Sequence, residues 1–507
     1  MSRKQSVSRR AFLQLLGGSV STVALASCMP AMPPAMPDDG ADNTGGTGNE
    51  PPMMDGSTMR EVNMMGQTIP VRRSISSLEA MGDDDPDQIL ATYAQAVQMM
   101  MDLPEEDPRS WSRQMQIHLD HCPHGNWFFL PWHAAYLYYF EEICRELTGN
   151  DAFALPYWNW SITPQIPATF WGDESNPLFN NTRRAGPEDT VPESFVSTMV
   201  IEDILSIPTF EEFASGRATA QRQRSTSGEL ESTPHNFVHG WVGGNMGTFM
   251  SPLDPIFWMH HNMIECCWND WIDRGNANTV DPVWLDFEFV ENFVDRQGNP
   301  VTIGVRDVLE LQVSSYTFDS AVKGNRTRMQ NLVRLRAAFP EMTELTFETF
   351  EKAEKQGVMM LNANQSIIET VDVDANVLGE FLNQKREDRL VLTLGNLEHP
   401  VENDTFVEVA INTSGEPRQM AVDETEFVST IAFFNDPSHE GHNNSTFSVD
   451  ITDNIRNLHA EGKLTDLNSI DIQLTAIPLD SGNSKTNMLA VDSLELDFKE
   501  QTLIRHS

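Results

Sequence analysis

The chain has 507 residues, and its 74 acidic side chains outnumber its 34 basic ones, which gives a formal net charge of −40 at pH 7. A charge this negative excludes nucleic acid as a partner and predicts repulsion from anionic lipid surfaces. The length and the 40% hydrophobic content allow two sizeable cores, whereas five cysteines are too few for a disulfide scaffold.

An export signal is predicted at the start of the chain. Residues 8–14 (SRRAFLQ) contain a twin-arginine pattern, and the apolar stretch 13–26 is too short to remain as a spanning helix. Residues 25–28 (LASC) resemble a bacterial lipobox, which is cut before a cysteine that then receives lipid. We therefore expect a twin-arginine signal peptide at 1–27 and a membrane-anchored lipoprotein, lipidated at Cys28, on the periplasmic or cell-surface side.

The residues after the signal are expected to form a tether. Residues 28–59 are rich in Met, Pro, Gly and Asp, a composition typical of flexible linkers. No later stretch of the sequence is long and apolar enough to predict a transmembrane helix. The alternative for Cys28 is ordinary signal cleavage nearby, which would leave a free thiol.

Eight of the thirteen histidines fall in two segments, and the first segment lies after residue 110. Apolar and aromatic residues repeat at helical spacing from Trp111 until Pro123 breaks the pattern. A second helix is predicted from Pro131 to near Gly149. The histidines of this segment are His118, His121, His124 and His133.

The second segment contains two histidines four residues apart, so that on a helix both rings leave the same face. Pro234 suits the first position of that helix, and Thr233 can cap it. A longer helix is predicted from Asp254 to Gly275, where apolar and aromatic residues again have helical spacing. The histidines of this segment are His235, His239, His260 and His261.

Four predicted helices thus direct histidines inward, which is how helix bundles build dinuclear sites. Each segment can supply three imidazoles, enough for one metal ion. Imidazole donors with few carboxylates suit copper, zinc, iron or nickel rather than calcium or magnesium. We therefore predict a mainly α catalytic domain at 60–279, in which a four-helix bundle holds a pair of metal ions.

The motifs around these histidines resemble the type-3 copper proteins, the group of tyrosinases, catechol oxidases and hemocyanins. Four sequence strings carry the resemblance. The first lies within 124–133, beginning with HG and ending with FFLPWH; the others are PHNFVHGWVGG at 234–244, SPLDP at 251–255 and HH at 260–261. The resemblance implies two copper ions, copper A and copper B, with dioxygen as the co-substrate.

The resemblance also implies which histidines hold the metals. Of the pair at 260–261 the family uses the second, which leaves His260 behind the metal. The first copper A ligand has two candidates, and we choose His118 over His121 because His118 continues the apolar stripe of its helix. The implied ligands are His118, His124 and His133 for copper A, and His235, His239 and His261 for copper B.

Four further residues match functional positions of the family. Cys122 lies two residues before His124, and in fungal members and molluscan hemocyanins a Cys-x-His at this place forms a thioether with the copper A histidine. The alternative is a buried free thiol. Glu231 resembles the plant glutamate that orients a water molecule near the coppers. Asn236 matches a residue thought to help that glutamate deprotonate a phenol, and Phe249 matches a plant residue that overhangs the copper pocket.

Two sites depart from the family pattern. Ala134 stands where the family usually has Arg, and Glu265 and Cys266 stand where it usually has Asp and Arg. Those residues commonly belong to an ion-pair network behind the metals. The joint loss of both arginines predicts a more apolar environment around the ligand helices.

Beyond the copper domain the resemblance continues to plant polyphenol oxidases. Residues 280–334 look like the segment that follows the plant catalytic core, and the mixed charge and helical patches of 335–387 predict a linker. Short alternating strands within 388–500 predict an antiparallel β-sandwich. This domain resembles the plant domain that covers the copper site in the latent enzyme.

The resemblance implies copper-dependent oxidation of o-diphenols to o-quinones, with ortho-hydroxylation of monophenols as an additional activity. Two alternatives remain open: an o-aminophenol oxidase of the same family and a hemocyanin-like dioxygen-binding protein. The expected partners are small phenolic or catecholic substrates and a copper chaperone, and the membrane is expected as a partner only through the anchor at Cys28.

Overall fold

The computed structural model of the protein describes residues 60–62, 68–82, 85, 88–319, 345–383, 388–400, 405–418, 420–434, 444–479 and 488–503. The predicted signal peptide, the lipidation site Cys28 and the tether at 28–59 lie outside the described residues.

Most of the helices lie before residue 320. Within the described ranges, no helix combines the length and apolar character that crossing a membrane requires. The α-helices are α1 (Ile75–Met81), α2 (Ile89–Asp102), α3 (Trp111–His121), α4 (Phe129–Thr148), α5 (Glu193–Val196), α6 (Thr198–Ser206), α7 (Phe210–Phe213), α8 (Asn236–Val242), α9 (Ile256–Asp273), α10 (Pro282–Leu285), α11 (Val305–Ser314), α12 (Ala375–Asn383) and α13 (Thr452–Ala460). Shorter turns are 3-10 helical at Ala168–Phe170, Gly244–Gly247 and Ser251–Leu253, and π-helical at Glu231–His235.

Most of the strands lie after residue 344. The strands are β1 (Arg60–Val62), β2 (Thr68–Arg72), β3 (Thr226–Ser227), β4 (Glu288–Val294), β5 (Pro300–Gly304), β6 (Thr317–Phe318), β7 (Leu345–Leu361), β8 (Ser366–Asp372), β9 (Arg389–Glu398), β10 (Thr405–Ile411), β11 (Phe427–Ile431), β12 (Asn444–Asp450), β13 (Ser469–Pro478) and β14 (Leu489–Leu503). They form a three-stranded sheet β1-β2-β6, a hairpin β4-β5 and two larger sheets.

The long helices α4 and α9 pack side by side in the core of the helical region. The ring of Phe140 on α4 stacks on that of Trp258 on α9, with centroids 3.5 Å apart and planes 11° apart. The same hydrophobic core takes in Trp284, Phe289 and Val305. The described part of the segment predicted at 280–334 therefore belongs to the same packed unit as the histidine helices.

The predicted helices are present, with ends shifted by a few residues. The helix predicted from Pro131 begins at Phe129, and the chain leaves it at Gly149, whose φ of 69° is the left-handed geometry that favours glycine after a helix. The helix predicted from Asp254 to Gly275 spans Ile256–Asp273.

The predicted cap of the helix around His235 is wrong. Pro234 lies inside the π-helical turn Glu231–His235, which runs directly into α8. The hydroxyl of Thr233 does not cap a helix, and instead donates to the main-chain carbonyl of Thr430 at 2.8 Å. The segment before α8 thus bonds to the C-terminal part of the chain.

The strand-rich region contains two sheets that share one hydrophobic core. The four-stranded sheet has the order β11-β10-β13-β8, and the five-stranded sheet has the order β3-β12-β9-β14-β7. Val407 and Ile472 of the first sheet and Leu392 and Leu494 of the second are all fully buried in that core. Strand β3 comes from the helical region and pairs in parallel with β12, so the two regions are joined by main-chain hydrogen bonds.

The linker predicted at 335–387 is wrong for its described residues. Strand β7 pairs along its length with β14, β8 pairs with β13, and α12 buries Leu378 and Phe381 in the core of the strand-rich region. This region therefore includes the chain from Leu345 onward. The pattern was weak because β7 is the edge strand of its sheet and most of its side chains are exposed.

Candidate metal centre

The six histidines predicted as ligands lie in one buried cluster. Five helical elements and one loop present them to the same space. Helix α3 carries His118, the loop before α4 carries His124, α4 carries His133, the π-helical turn carries His235, α8 carries His239 and α9 carries His261. His121, the other candidate at the end of α3, is partly exposed.

Protein oxygens hold the Nδ1 atoms of four of these histidines. Each Nδ1–H donates to an oxygen that can only accept, which fixes the tautomer and turns the lone pair of Nε2 away from that partner. The pairs are His118 with Phe249 O at 2.8 Å, His133 with Phe129 O at 2.8 Å, His235 with Asn236 Oδ1 at 2.9 Å and His239 with Met246 O at 2.7 Å.

Most of the other ring nitrogens are buried without a hydrogen-bond partner among the described residues. This holds for Nε2 of His118, His133 and His235 and for both nitrogens of His124. Buried polar atoms are normally satisfied, so such a concentration of unpaired imidazole nitrogens fits a metal site. Burial lowers the pKa of His118 to about 3 and those of the other five well below the usual value, so the rings are neutral near pH 7.

The cluster divides into two groups of close ligand atoms. In the first group, ligand atoms of His118, Cys122 and His124 all lie within 4.8 Å of one another. The ring of His133 joins them, with its centroid 5.7 Å from that of His118 and 5.4 Å from that of His124. In the second group the same 4.8 Å limit holds for ligand atoms of His235, His239 and His260.

Both rings of the pair on α9 lie beside the second group. The centroid of His261 is 4.9 Å from that of His235, and its Nε2 is 3.1 Å from Nε2 of His239. Nδ1 of His260 accepts from the indole N–H of Trp160 at 3.3 Å. The contact between the Nε2 atoms of His239 and His261 favours His261 as the ligand, while Nδ1 of His260 is occupied by Trp160.

Glu231 connects the segments that carry His124 of the first group and His235 of the second. One carboxylate oxygen accepts from the main-chain N–H of Gly125 at 2.7 Å, next to His124, and the other accepts from the hydroxyl of Ser215. Burial raises the pKa of Glu231 to about 7, although these hydrogen bonds oppose the shift. The carboxyl group therefore changes charge near neutral pH and links the loop of His124 to the segment of His235.

Both polar atoms of the Asn236 side chain form hydrogen bonds. Its amide oxygen accepts from Nδ1 of His235, and its amide N–H donates to the main-chain carbonyl of Ala432 at 3.0 Å. Ala432 in turn donates its main-chain N–H to Ser232 O at 2.8 Å. The strand-rich region therefore reaches the residue that touches a predicted ligand.

Two phenylalanines cover the histidine cluster. Phe249 stacks on His124 with centroids 5.4 Å apart and planes 18° apart. Phe434, which follows β11, lies with its centroid 4.4 Å from that of His239, 4.8 Å from that of His124 and 5.3 Å from that of Phe249. Phe434 was not among the residues predicted from the sequence, where its only signal is the aromatic pair Phe433 and Phe434 shortly after a strand.

The predicted apolar environment behind the ligand helices is wrong. Arg72, at the end of β2, is fully buried and pairs with Glu141 on α4 and Glu265 on α9. The family usually has arginines where this chain has Ala134 and Cys266. Here the positive charge comes instead from Arg72 on β2, outside the histidine helices.

Comparison with known proteins identifies the helical region. Residues 105–200 and 172–274 match the family described as the common central domain of tyrosinase. Polyphenol oxidase A1 of Vicia faba is 26% identical over 472 residues, covering 80% of this chain and 75% of that protein. Tyrosinase HcTyr1 of Hahella sp. is 31% identical over 296 residues, covering 46% of this chain and 61% of that protein.

Solved structures share the whole architecture. A latent aurone synthase (polyphenol oxidase) superimposes with a TM-score of 0.65 at 21% identity, over 86% of this chain and 90% of that chain. A latent apple tyrosinase gives a TM-score of 0.60 at 21% identity, over 85% of this chain and 97% of that chain. The helical core and the strand-rich region together therefore have the fold of the tyrosinase family. The chain is thus similar in sequence to polyphenol oxidases, and its residues 105–274 match the common central domain of tyrosinase.

Proposed function

We propose that the chain oxidises o-diphenols to o-quinones with dioxygen at a pair of copper ions. The observation that carries the proposal is a cluster of six buried, neutral imidazoles, in which Nε2 of His118, His124, His133 and His235 has no hydrogen-bond partner among the described residues and Nε2 of His239 and His261 contact each other. Each ion would have three imidazole ligands: copper A from His118, His124 and His133, and copper B from His235, His239 and His261.

The copper pair would supply electron transfer between the diphenol and dioxygen, with two diphenols oxidised for each dioxygen reduced to two waters. The protein's own residues would bind and orient the substrate. Phe249 lies flat beside His124 and offers an aromatic face to the phenol ring. Burial of the cluster keeps bulk water away from the reacting oxygen atoms.

A monophenol needs a proton removed before its oxygen can bind a metal. Glu231, with a pKa raised to about 7, has the proton affinity that a general base needs near neutral pH. Its two hydrogen bonds, from Gly125 and Ser215, would have to loosen or be shared with a water. Asn236 has an amide N–H that could hold that water once its bond to Ala432 is released.

The strand-rich region is proposed as a cap that keeps the enzyme latent. Phe434 covers the cluster that the substrate must reach, and Ala432 engages Asn236. Dioxygen is small enough to enter past such a cap, whereas a phenol is not. Because β3 pairs with β12, cutting the chain between the two regions is not by itself expected to release the cap.

The test is oxygen uptake by the copper-loaded protein after mild detergent has opened the cap. Steady uptake with a catechol, with o-quinone formation, supports an o-diphenol oxidase. Uptake only with an o-aminophenol supports the related aminophenol oxidase. A single stoichiometric and reversible uptake without turnover supports a hemocyanin-like dioxygen-binding protein and contradicts the proposal.

We also propose twin-arginine export and a lipid anchor at Cys28, supported by the sequence at 8–28. Export of a folded protein would allow copper to be loaded beforehand, with a copper chaperone as the donor. Cys28→Ser should move the protein from the membrane fraction to the soluble fraction. A wild-type protein that is soluble and carries an unmodified Cys28 would contradict this proposal.

A further inference from the structure

A single buried arginine joins the two helices that carry His133 and His261. Arg72 is fully buried at the end of β2. Its Nε donates to Glu141 on α4 at 2.9 Å, and its Nη1 donates to Glu265 on α9 at 2.7 Å. One cation therefore pairs with a carboxylate on each helix.

Each of these carboxylates lies close to a histidine along its helix. Glu265 follows His261 by four residues, about one helical turn, and Glu141 follows His133 by eight residues, a little over two turns. Over so short a distance a helix moves as a rigid unit. A rotation or slide of either helix that breaks its ion pair therefore also moves its histidine ring.

The two histidine rings meet directly. The centroids of His133 and His261 are 4.3 Å apart, and the planes differ by 13°. His133 belongs to the proposed copper A group and His261 to the copper B group. The packing of α4 against α9 thus determines how far apart the two groups lie.

The guanidinium has little freedom to move. Nη1 also donates to Asn262 Oδ1 at 3.0 Å, and Asn262 directly follows His261. The guanidinium carbon lies 3.6 Å from the ring centroid of Tyr316, whose hydroxyl donates to Glu265. A buried charge held by this many partners has a defined position, and so do the groups that it binds.

We propose that Arg72 is a positioning residue that sets the separation of the two copper ions by holding α4 and α9 through Glu141 and Glu265. The inference rests on the dinuclear copper function proposed above. The hydrogen-bond partners of Arg72, which are Glu141, Glu265 and Asn262, are not among the proposed copper ligands. Its effect reaches the site through the two helices and the His133–His261 contact.

The experiment compares Arg72→Met with Arg183→Met in the full-length chain. Arg183 is a matched control because it is also buried and paired, with Asp254 at 2.6 Å, just before α9. That ion pair involves α9 but not α4, so losing it removes no link between the two helices. Copper content, the copper(II) EPR signal and the rate of copper loss to a chelator are measured for the parent and both variants. Two copper(II) ions close enough to share a bridging ligand couple their electron spins and give no EPR signal.

We expect the parent to hold an EPR-silent copper pair. Arg72→Met should show a copper(II) signal and lose copper about tenfold faster or more, the range typical when partners of metal ligands are removed. Arg183→Met should lose thermal stability but keep a silent pair. If Arg72→Met keeps a silent pair, or if Arg183→Met gives the same signal, the inference is overturned.

Arg72→Met leaves the buried Glu265 without a cation and Glu141 with Arg145 alone, and it risks misfolding. Glu265→Gln is the milder variant, since glutamine keeps the shape but loses the ion pair with Arg72 and has one oxygen where Arg72 and Tyr316 each bond a separate one. It should also produce an EPR signal, and a silent pair in this variant would overturn the inference if Arg72→Met does not fold. A parent that binds no coupled copper pair would instead overturn the proposed function, and this inference with it.

Discussion

The side-chain amide of Asn236 donates to the main-chain carbonyl of Ala432 at 3.0 Å, while its oxygen accepts from the ring of His235. One side chain therefore connects the strand-rich region with a predicted copper B ligand. Any movement of this region away from the helical core must break that bond. The orientation of the His235 ring is thus linked to whether the proposed cap is closed.

The first copper A ligand can be identified by replacing each of its two candidate histidines with alanine in separate variants. His118→Ala should lower the copper content from about two ions per chain to about one, because its buried Nε2 is open and its Nδ1 is held by Phe249. His121→Ala is the control, since His121 is partly exposed, and it should keep both ions. Metal analysis of the two purified variants decides, and the reverse result would move the ligand to His121.

A thioether between Cys122 and His124 is expected in the copper-loaded protein. Their ligand atoms lie within 4.8 Å, and burial raises the pKa of the Cys122 thiol, so the group is protected from outside reagents. Peptide mass spectrometry should find the two residues cross-linked with the loss of two hydrogens. Cys144 is buried as well and serves as the uncrosslinked control. Complete alkylation of Cys122 after denaturation of the active protein would contradict the bond.

Glu231→Gln should reduce monophenol hydroxylation more than diphenol oxidation, by about 100-fold against less than about tenfold. The reason is that only the monophenol needs a proton removed before it binds. Because burial raises the pKa of Glu231 to about 7, the parent's monophenol activity should rise as pH increases through about 7, where the carboxylate forms. Initial rates on matched phenol and catechol substrates test this. Equal losses on both would assign Glu231 a purely structural role through Gly125 and Ser215.

Phe434→Ala should activate the uncleaved chain toward small catechols. Its ring contacts His124, His239 and Phe249, and aromatic pairs contribute about 0.5–1.5 kcal/mol each, so we expect turnover to rise about tenfold. Phe350→Ala is the control, because Phe350 is exposed on β7 in the same region. Oxygen uptake without detergent is the measurement. No gain over the parent would mean that Phe434 does not block the substrate.

Glu229 is expected to make the contact between the two regions sensitive to pH. Its carboxyl accepts from the main-chain N–H of Asp450 at 2.8 Å, and burial raises its pKa to about 8. Three acidic groups surround Glu229: Asp203, Glu212 and Asp450. Glu212 forms an ion pair with Lys499, and the Asp450 carboxylate lies 3.4 Å from Nη1 of Arg389.

The sign of the effect follows from the protons bound. Between the usual pKa of 4.5 and the raised value of about 8, folded Glu229 keeps a proton that the unfolded chain has lost. Stability therefore falls as pH rises through this window. From about pH 5 to about pH 8, the free energy of unfolding of the copper-free parent should fall more steeply than that of Glu229→Gln. Urea titrations test this, with Glu288→Gln on an exposed strand position as the control. Parallel curves for all three proteins would contradict it.

Many residues of the candidate centre could be predicted from the sequence because the patterns that indicate them involve only neighbouring residues. The spacing of His235 and His239 and the apolar period around His118 depend only on neighbours within one or two helical turns. The family motifs likewise lie in short continuous strings. The structure brings the six predicted histidines into one buried cluster, as these local patterns indicated.

The strand-rich region was harder to delimit. Its central strands have buried faces and a readable alternation, so a β domain was predicted from residue 388. Strand β7 has few buried side chains and takes its place only by pairing with β14, which lies far along the chain. A sequence window around β7 therefore indicated a linker, because the partner that stabilises the strand is outside the window.

The sequence by itself determined that eight histidines fall in two segments with helical periodicity and that a helical unit precedes a strand-rich one, since hydrophobic periodicity and short motifs are properties of adjacent residues. Only the tertiary structure decided that Arg72 supplies the cation for Glu265, 193 residues later, and that Phe434 covers the histidines. Neither side chain carries a local pattern that points to its partner. Their contacts exist because packing of the two cores brings distant segments together, and buried charges must find partners wherever the fold places them.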